Sequence, residues 1–549
     1  MPTVLRSVAF VLAFSLIAFG LGTGDSVSDA RWLALLGTAW VLLLVATRVR
    51  LPAALPSFNR SLVRTALVLA TVFAVVSAQL VRIQIVQSEA TVNRSATAPN
   101  GDVVANPRLG NRDLAVRRGE IFDRAGNVIA GTERGDGVWI RTYPDPATSY
   151  VAGYYSPLLY GTFGLEATYD EELTGQAGNN PFLRWRNELL HRPQQGVDLN
   201  LTLDAELQQT AHDLLGGRNG AVVVTDVETG AILVFASNPN FDPNALFTST
   251  PPENEEASAY WEELNAAPDS PLLLRANLGR YTPGSTFKTV TAAVAIDEGF
   301  AAPDDVYEDD GDIDIEGRVL VENNRPDPTR TEWTLAEGLA WSLNVVFAQI
   351  GLEIGPTVMW EYGERFGFGS DIPFDLPVAG SQMAGSREFL DSLNALADTA
   401  FGQGELLVTP LHMAMLTATY VNDGQMMRPY LVQSVETQAG ETIRSTEPEV
   451  WRQPISAETA STVEALMVNA VENGSVQAAT VPGYVVGGKT GTAETGGDDP
   501  HSWFIGFIGD PEPRYAVAVV LEATEGGQAG AVGIGRDMLA ATITSCRPD

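Results

Sequence analysis

The chain has 549 residues, more than one hydrophobic core usually organises, so we expect at least two soluble units in addition to any membrane segments. Its formal net charge of -34 and its isoelectric point of about 4.4 argue against nucleic acid as a partner, because few cations are available to neutralise phosphates. The single cysteine, Cys546, cannot form an internal disulfide and has no metal-ligand spacing. We therefore expect neither a cofactor nor a metal ion.

Three apolar runs near the start of the chain predict transmembrane helices at about residues 7–23, 31–48 and 64–83, each close to the ~20 residues that cross a bilayer. A cleaved signal peptide is the alternative for the first run, but no small-x-small site follows it and two further runs do. Four arginines lie between the second and third runs or at their facing ends, and two aspartates lie between the first and second: Arg48, Arg50, Arg60, Arg64, Asp25 and Asp29. By the positive-inside rule the N-terminus is cytoplasmic, and the chain beyond about Val86 is extracytoplasmic.

The segment over residues 88–107 is rich in Asn, Ala and Thr without a period and is typical of a juxtamembrane linker. Within residues 118–130, apolar pairs flank Gly126 and Asn127, which suit a tight turn between two strands. We therefore expect a membrane region over residues 1–86 and a small β-rich pedestal domain over residues 87–216. The boundary at 216 follows a stretch with helical apolar spacing from Leu203 to Leu215.

A larger domain is expected over residues 217–549. It opens with two apolar runs around Gly230, which predict a hairpin. Later elements are predicted as strands at 483–486, 503–508 and 516–521, a last helix at 536–544, and mainly helices over 286–347 and 411–422. The stretch 304–316 holds eight acidic residues without the spacing of a calcium loop, so we predict a solvated loop or hairpin there.

Lys288 and Lys489 are the only lysines in the chain, and Lys288 follows Ser285 by three positions. Pro283 and Gly284 end the preceding segment, so we predict that Ser285 begins a helix. On a helix this spacing places both side chains on one face, where the amine reaches the hydroxyl. Such a base turns a serine into a nucleophile, provided that burial or a nearby cation lowers the pKa of the lysine.

Lys489 lies where an apolar strand runs into small residues that end at Thr492. Gly488 and Gly491 let a substrate backbone approach closely. Lys489, Thr490 and Thr492 offer a positive charge and two hydroxyls, which suit a carboxylate and an oxyanion. The pattern G-x-x-x-x-G-K-[ST] of a phosphate-binding loop is also matched, but that loop leads into a helix, which the polar, Gly-rich sequence after Thr492 does not predict.

Ser342 and Asn344 lie between the two lysines, on a predicted apolar helix where polar side chains need a buried partner or a ligand. The pattern Ser-x-Asn is weak alone, because it also begins at Ser57 and at Ser392. Ser57 is cytoplasmic in the predicted topology, and only position and order favour Ser342 over Ser392.

The order Ser-x-x-Lys, Ser-x-Asn, Lys-Thr-Gly resembles the motif triple of penicillin-recognising enzymes. Further matches lie at residues 118–126, 237–244, 402–404 and 503–507. From roughly residue 62 to the C-terminus, the chain resembles class B penicillin-binding proteins of the shorter actinobacterial type. That family usually has one membrane span, so the first two predicted spans are a departure, and Leu343 at the centre of the middle motif is a smaller one.

The resemblance implies an α+β fold with N-terminal transmembrane helices, a small pedestal of the dimerisation type and a transpeptidase domain. In that domain a five-stranded antiparallel sheet lies between helical layers. Ser285 is then expected as the nucleophile, Lys288 as the acylation base and Ser342 as a proton relay to the leaving amine. Asn344 is expected to bind the acyl chain, and Lys489 to remain charged as the partner of Ser342.

The resemblance further implies that the backbone N–H groups of Ser285 and Thr492 form an oxyanion hole and that Thr490, Gly491 and Thr492 bind substrate. The implied activity is peptidoglycan D,D-transpeptidation in cell-wall synthesis. Ser285 attacks the penultimate D-alanine carbonyl of a stem peptide, D-alanine leaves, and an amine of a neighbouring stem takes the acyl group. Implied partners are stem peptides, β-lactams as inhibitors, the membrane and a SEDS-family glycosyltransferase.

Several alternatives remain beside this interpretation. A β-lactamase needs a deacylating base, and the nearest candidate, Glu388, has the wrong spacing to its Leu-Asn pair. A carboxypeptidase differs only in using water as the acceptor, which the sequence does not distinguish. A β-lactam sensor would need cytoplasmic machinery, for which the loop 48–64 is too short. A Ser-His hydrolase is disfavoured because no G-x-S-x-G is present, although His501 could edge the cleft.

Overall fold

The structure is a computed structural model that describes residues 3–23, 27–49, 51–52, 54–87, 96–97, 103–104, 114–135, 137–176, 195–494, 499–523 and 529–546. The chain divides into two compact units, one with Met1–Ala115 and Ala177–Gln194, the other with Val116–Gln176 and Gln195–Asp549. The linker predicted over residues 88–107 falls outside the described residues, apart from two short strands that pair antiparallel, β1 (Ala96–Thr97) and β2 (Val103–Val104).

The first unit contains the three predicted membrane helices. They are α1 (Thr3–Gly22), α2 (Asp29–Ala46) and α3 (Ser57–Val81), and α3 continues into a π-helical turn, Arg82–Val86. Each is long enough and apolar enough to cross a membrane, the third over Ser57–Gln84. The prediction of three membrane-spanning helices is therefore confirmed by the length and composition of the helices.

A buried arginine joins the α1–α2 turn to the end of α3. Arg82 is 1 % exposed; it donates to the Val27 carbonyl at 2.7 Å and lies 3.5 Å from the Asp29 carboxylate. Its guanidinium stacks 5.0 Å from the centroid of Trp32, whose indole N–H donates to Gln79 at 2.6 Å. Polar contacts of this kind hold helices together where lipid gives no hydrophobic driving force between them.

The second unit contains the remaining elements. Its strands are β3 (Ile121–Phe122), β4 (Val128–Arg134), β5 (Trp139–Thr142), β6 (Tyr154–Ser156), β7 (Gly161–Phe163), β8 (Asp198–Leu201), β9 (Gly220–Asp226), β10 (Ile232–Asn238), β11 (Val306–Glu308), β12 (Asp312–Ile315), β13 (Arg318–Val321), β14 (Glu332–Thr334), β15 (Met426–Met427), β16 (Val432–Glu436), β17 (Thr442–Ser445), β18 (Val450–Arg452), β19 (Val485–Ala493), β20 (His501–Gly509) and β21 (Pro513–Leu521). Its α-helices are α4 (Ser149–Ala152), α5 (Leu165–Thr168), α6 (Asp170–Leu173), α7 (Ala205–Leu215), α8 (Pro251–Ala266), α9 (Lys288–Asp297), α10 (Leu335–Trp341), α11 (Asn344–Arg365), α12 (Leu393–Ala400), α13 (Pro410–Tyr420), α14 (Ala457–Glu472) and α15 (Ala529–Ser545).

The central sheet has five antiparallel strands in the order β10-β9-β21-β20-β19, as the resemblance implied. Side chains alternate between its two faces, so Val222 and Val224 of β9 join a cluster with α7 and α15, whereas Ala221 and Val223 join the cluster that contains α9 and α13. The sheet is therefore covered on both faces by helices, and β19 is one of its two edge strands.

A second sheet has six strands in the order β17-β16-β8-β3-β4-β5. Its β3–β4 hairpin turns at Gly126, where φ is +85°, which confirms the predicted strand–turn–strand unit. The strands β16 and β17 lie far beyond β8 in the sequence, and they extend this pedestal sheet. Helix α7, the last element of the predicted pedestal, packs Leu207, Ala211 and Leu215 on the central sheet.

A buried charge network organises the pedestal. Glu166 is fully buried; its carboxylate accepts from Arg141 at 2.5 Å, from Arg118 at 2.8 Å and from the Tyr143 hydroxyl at 3.0 Å. Burial opposes the charge on Glu166, but the two guanidinium groups outweigh it and lower the pKa of this carboxyl. The arginine of the pedestal motif thus has a structural role.

One prediction about the middle of the chain is wrong in detail. Residues 286–347 were expected to be mainly helical, but α9 is followed by two strand pairs, β11 with β14 and β12 with β13, before α10 begins. The acidic stretch 304–316 forms β11 and β12, and most of its side chains are exposed, which agrees with the predicted solvated hairpin. The apolar residues of these short strands are too few to give a clear period.

Candidate active site

The Ser285 motif lies at the start of α9. Residues Gly284–Phe287 form a 3-10 turn, and the α-helix begins at Lys288, one turn later than predicted. In a 3-10 turn, residues three apart are eclipsed, so Ser285 and Lys288 project in the same direction. Ser285 is half-buried, and Lys288 is completely buried. The Oγ of Ser285 has no hydrogen-bond partner in the described part of the chain, so the predicted Ser285–Lys288 contact is not made here.

The turn that carries Ser285 is held by a second loop. The N–H of Gly284 donates to the carbonyl of Gly402 at 2.9 Å, and a Cβ at Gly402 would overlap the Gly284 carbonyl. A Cβ at Gly491 would lie 2.6 Å from the carbonyl of Pro283. At Gly488, the space that a Cβ would occupy is filled by the ring of Phe504. The two glycines that were expected to admit substrate therefore make room for other parts of the protein.

Ser342 lies between two helices and not on one, which corrects the predicted helix. It follows α10 in a left-handed conformation, with φ +65° and ψ +39°, and Asn344 then begins α11. A residue with a β-carbon adopts this conformation at a cost of about 1–3 kcal/mol, and such strain tends to occur at functional sites. The turn aims the carbonyl of Ser342 at Lys288 and its hydroxyl at both lysines.

The two lysines meet at Ser342. Lys288 Nζ donates to the Ser342 carbonyl at 2.6 Å and to Asn344 Oδ1 at 2.7 Å, and it lies 3.3 Å from Ser342 Oγ. Lys489 Nζ donates to the same Oγ at 2.9 Å and to the Thr490 carbonyl at 2.9 Å. Residues that are far apart in the sequence thus form one connected hydrogen-bond network.

Burial changes the charge of both amines. It lowers the pKa of Lys288 well below the ordinary value, the charge of Lys489 lowers it further, and the carboxylate of Glu322 opposes both. Burial also lowers the pKa of Lys489 to about 7. Because the charge of Lys489 acts on Lys288 in addition to burial, whereas burial alone acts on Lys489, we assign the first proton lost to Lys288. The expected permanent charge on Lys489 is therefore limited to pH values below about 7.

Strand β19 presents its free edge to the Ser285 turn. The Thr492 carbonyl accepts from the Gln403 side chain at 3.5 Å, and a Cβ at Gly284 would overlap that carbonyl. In a strand the N–H and C=O of one residue point to the same side, so the Thr492 N–H also points off the sheet towards this turn. By alternation, Thr490 and Thr492 share one face of β19, opposite to Lys489. Thr490 is buried and Thr492 is partly exposed.

The rival motifs are elsewhere. Gly488, Lys489 and Thr490 lie inside β19, so no phosphate-binding loop is formed. Ser392 caps α12 through the Ala395 N–H at 3.5 Å and does not join the lysines. No group of three or more His, Cys, Asp or Glu that could hold a metal occurs among residues placed by the structure.

The histidines that the structure describes lie outside the lysine network. His501 begins β20 with its ring 5.3 Å from that of Tyr281, near the Ser285 turn, and it accepts from the Ala523 N–H at 3.2 Å. Burial lowers its pKa. His412 is fully buried, bonded to the Phe366 carbonyl at 2.9 Å, and burial lowers its pKa to about 4. His191 falls outside the described residues.

Three residues near the site were missed from the sequence. Gln403 could have been found, because its Gly-Gln-Gly motif was noted without a role. Glu322 gave no sequence signal, because it follows a stretch so acidic that one more carboxylate does not stand out. Asn324 gave no sequence signal either. Asn324 Nδ2 donates to the Ser342 carbonyl at 3.0 Å, and Glu322 accepts from the Val345 N–H at 2.9 Å.

Comparison with known proteins gives the family. Residues 220–540 match the penicillin binding protein transpeptidase domain, and residues 118–199 match the penicillin binding protein A dimerisation domain. The first match covers more than half of the chain. The protein belongs to the penicillin-binding proteins, and within them to class B.

Individual relatives and solved structures support the same family. The peptidoglycan D,D-transpeptidase PbpA of Mycolicibacterium smegmatis is 34% identical over 461 residues, which cover 80% of this chain and 91% of that protein. The ceftriaxone acyl-enzyme structure of penicillin-binding protein A from M. tuberculosis is 31% identical, with a TM-score of 0.72 over 78% of this chain and 99% of that one. A D,D-transpeptidase domain from Eggerthella lenta is 34% identical, with a TM-score of 0.69 over 78% of this chain and 99% of that one.

Proposed function

We propose that this protein is a membrane-anchored peptidoglycan D,D-transpeptidase that acts through an acyl-enzyme on Ser285 and is inhibited by β-lactams. The observation that carries the proposal is the contact of both lysine amines with the single hydroxyl of Ser342, beside the turn that bears Ser285. The named activity of the relatives, D,D-transpeptidation, is the chemistry that such a network serves.

In the acylation step, the Oγ of Ser285 attacks the carbonyl carbon of the penultimate D-alanine, and its proton passes to the neutral amine of Lys288. The N–H groups of Ser285 and Thr492 stabilise the oxyanion. When the carbon–nitrogen bond breaks, the hydroxyl of Ser342 gives a proton to the leaving D-alanine amine and takes up the proton that Lys288 has gained, while Lys489 stays charged beside it. Asn344 holds Lys288 and the acyl chain.

In the transfer step, the amine of a neighbouring stem peptide attacks the ester carbonyl of the acyl-enzyme. The amine passes a proton through Ser342 to Lys288 as the new amide forms, and Lys288 returns a proton to the Oγ of Ser285, so that the hydroxyl is recovered and Lys288 is neutral again. Thr490, Gly491 and Thr492 bind the donor peptide along the free edge of β19. Thr492 serves this role best, because it is the more exposed of the two threonines.

The protein's setting is part of the proposal. The N-terminus is cytoplasmic, and the catalytic domain acts outside the membrane, where its polymer substrate lies. We assign residues 1–86 to the membrane region, 87–216 to the pedestal, whose last helix α7 packs on the central sheet, and 217–549 to the transpeptidase domain. A SEDS-family glycosyltransferase supplies the glycan strands that this enzyme cross-links.

Slow release of bound penicillin distinguishes this enzyme from a β-lactamase. The nearest candidate for a deacylating base in the sequence, Glu388, lies in the 3-10 turn Arg387–Asp391, where bonds to its own backbone and to Ser386 lower its pKa. A carboxylate whose pKa is lowered in this way is a weaker base for activating water. Acylation by penicillin should therefore be stable over many minutes.

Fluorescent-penicillin labelling of the full-length protein tests the assignment. We expect Ser285→Ala to abolish labelling, Ser342→Ala to weaken it strongly, and Ser392→Ala, which removes only a helix cap, to leave it unchanged. Undiminished labelling of Ser285→Ala overturns the assignment. Incubation with a donor stem peptide and an amine acceptor then separates the cross-linked product from the hydrolysed product of a carboxypeptidase.

A further inference from the structure

The Ser342 turn needs support from outside its own helices. Its left-handed conformation is strained, and the network of the two lysines depends on where its carbonyl and hydroxyl point. Lys288 satisfies the carbonyl from one side at 2.6 Å. Support from the other side comes from the stretch that follows β13, the second strand of the hairpin next to the acidic region.

Two residues on that stretch contact the turn. Asn324 donates its side-chain amide to the Ser342 carbonyl at 3.0 Å. Glu322 is 6 % exposed, and its two carboxylate oxygens accept from the N–H groups of Val345 and Asn324, both at 2.9 Å. Val345 is the second residue of α11, so the carboxylate also lies where the helix dipole favours negative charge.

We propose that Glu322 and Asn324 are positioning residues for acylation: Glu322 fixes the first turn of α11, and Asn324 fixes the carbonyl of Ser342, so that Ser342 and Asn344 meet the two lysines. The inference rests on the proposed function of this site. Neither residue touches the reacting atoms. The hairpin of β12 and β13 is then the scaffold that delivers them, since the Glu322 N–H is itself anchored to the Gly311 carbonyl at 2.8 Å.

Charge adds a second consequence. The charged groups that act on Lys288 are Lys489, which lowers its pKa, and Glu322, which raises it. Behind Glu322 lies the buried carboxylate of Asp309, whose pKa is raised by burial and by Glu322, and whose backbone carbonyl accepts from Arg325 at 3.0 Å. Loss of the Glu322 charge should therefore let Lys288 lose its proton at lower pH.

The test is the pH dependence of penicillin acylation, measured on full-length protein for wild type, Glu322→Gln, Glu322→Asp and Asn324→Ala. We expect Glu322→Gln to move the acid-side midpoint to lower pH by about one unit, because an adjacent charge is lost. Glu322→Asp keeps the charge, so its midpoint should stay at the wild-type value while its maximal rate falls. Asn324→Ala should lower the maximal rate about threefold to tenfold without moving the midpoint.

Glu337→Gln is the matched control, because Glu337 caps the neighbouring helix α10 but is not among the charges that act on Lys288. Its midpoint should equal that of wild type. An unmoved midpoint in a folded Glu322→Gln protein overturns this inference alone, since it would leave Glu322 with a merely structural role. If Glu322→Gln does not fold, Asn324→Ala decides: its side chain is exposed, and wild-type acylation by that variant overturns the inference. A wild-type protein that penicillin does not acylate overturns the proposed function as well.

Discussion

Lys288 and Lys489, the only lysines in the protein, contact the same atom: their Nζ atoms lie 3.3 Å and 2.9 Å from the Oγ of Ser342. Both amines are fully buried, and both have a lowered pKa for that reason. The charge of Lys489 lowers the pKa of Lys288 in addition to burial, so the working state has a neutral Lys288 and a charged Lys489.

This arrangement predicts a bell-shaped pH dependence of acylation. The rate should rise with pH as Lys288 loses its proton, because a neutral amine is needed to accept the proton of Ser285. It should fall again above about pH 7, where Lys489 loses its own proton. The measurement is the rate constant for labelling by fluorescent penicillin between about pH 5 and 9. A rate that keeps rising well above pH 7 would show that the charge on Lys489 is not required.

The strain at Ser342 predicts different stabilities for two inactive variants. Both Ser342→Gly and Ser342→Ala remove the proton relay, so each should lower the acylation rate by about 10²–10⁴-fold. Glycine adopts a positive φ freely, whereas alanine is strained at +65°. The glycine variant should therefore be more stable than the alanine variant by about 1 kcal/mol, measured by thermal unfolding. Wild-type acylation by the glycine variant would exclude a role for the hydroxyl.

Local signals in the sequence explain which features could be predicted. The hairpins at Gly126 and Gly230 were found because each turn needs a positive φ, and the strands β20 and β21 because their apolar runs are long. The pairing of β16 with β8 was not found, because nothing local specifies a partner over 230 residues away. Ser342 was assigned to a helix for the same reason: the contacts that hold it outside one come from Lys288 and Asn324, distant in the sequence.

The loop that contains Gly402 and contacts the Ser285 turn gives another prediction. Gly404, in the same loop, provides the control. In Gly402→Ala the new Cβ would meet the Gly284 carbonyl, and φ is already +95°, so the nucleophile turn has to move. In Gly404→Ala φ is +77°, but the nearest atoms lie at 3.6 Å, so only backbone strain is added. We expect a loss of acylation rate of about 10²-fold in the first and a much smaller loss in the second. Equal losses would show that backbone strain, and not contact with Gly284, controls the rate.

The pedestal network predicts a large stability effect far from the catalytic residues. Glu166→Gln would leave Arg118 and Arg141 buried without a counter-charge, which costs about 3–5 kcal/mol. Asp170→Asn removes a second partner of Arg118 whose side chain is 43% exposed, so it should cost less than about 1 kcal/mol. Because the folded state lowers the pKa of Glu166, its contribution is present above the ordinary pKa of a glutamate and is lost as pH falls. Urea denaturation at neutral and acidic pH measures both effects, and similar costs for the two variants at neutral pH would contradict the assigned network.

Arginine should replace neither lysine, for two different reasons. Lys288→Arg places a group at the base position that does not lose its proton, so acylation should fall by about 10²–10⁴-fold at every accessible pH. Lys489→Arg keeps the charge, but the wide guanidinium does not reproduce the contacts of a compact ammonium with Ser342 and Thr490. Its maximal rate should be low, yet its residual activity should no longer decline above pH 7, because the new side chain stays protonated. Arg318→Lys, an exchange in a half-exposed ion pair with Asp398, is the control and should acylate normally. An alkaline decline that persists in Lys489→Arg would assign that limb to a group other than Lys489.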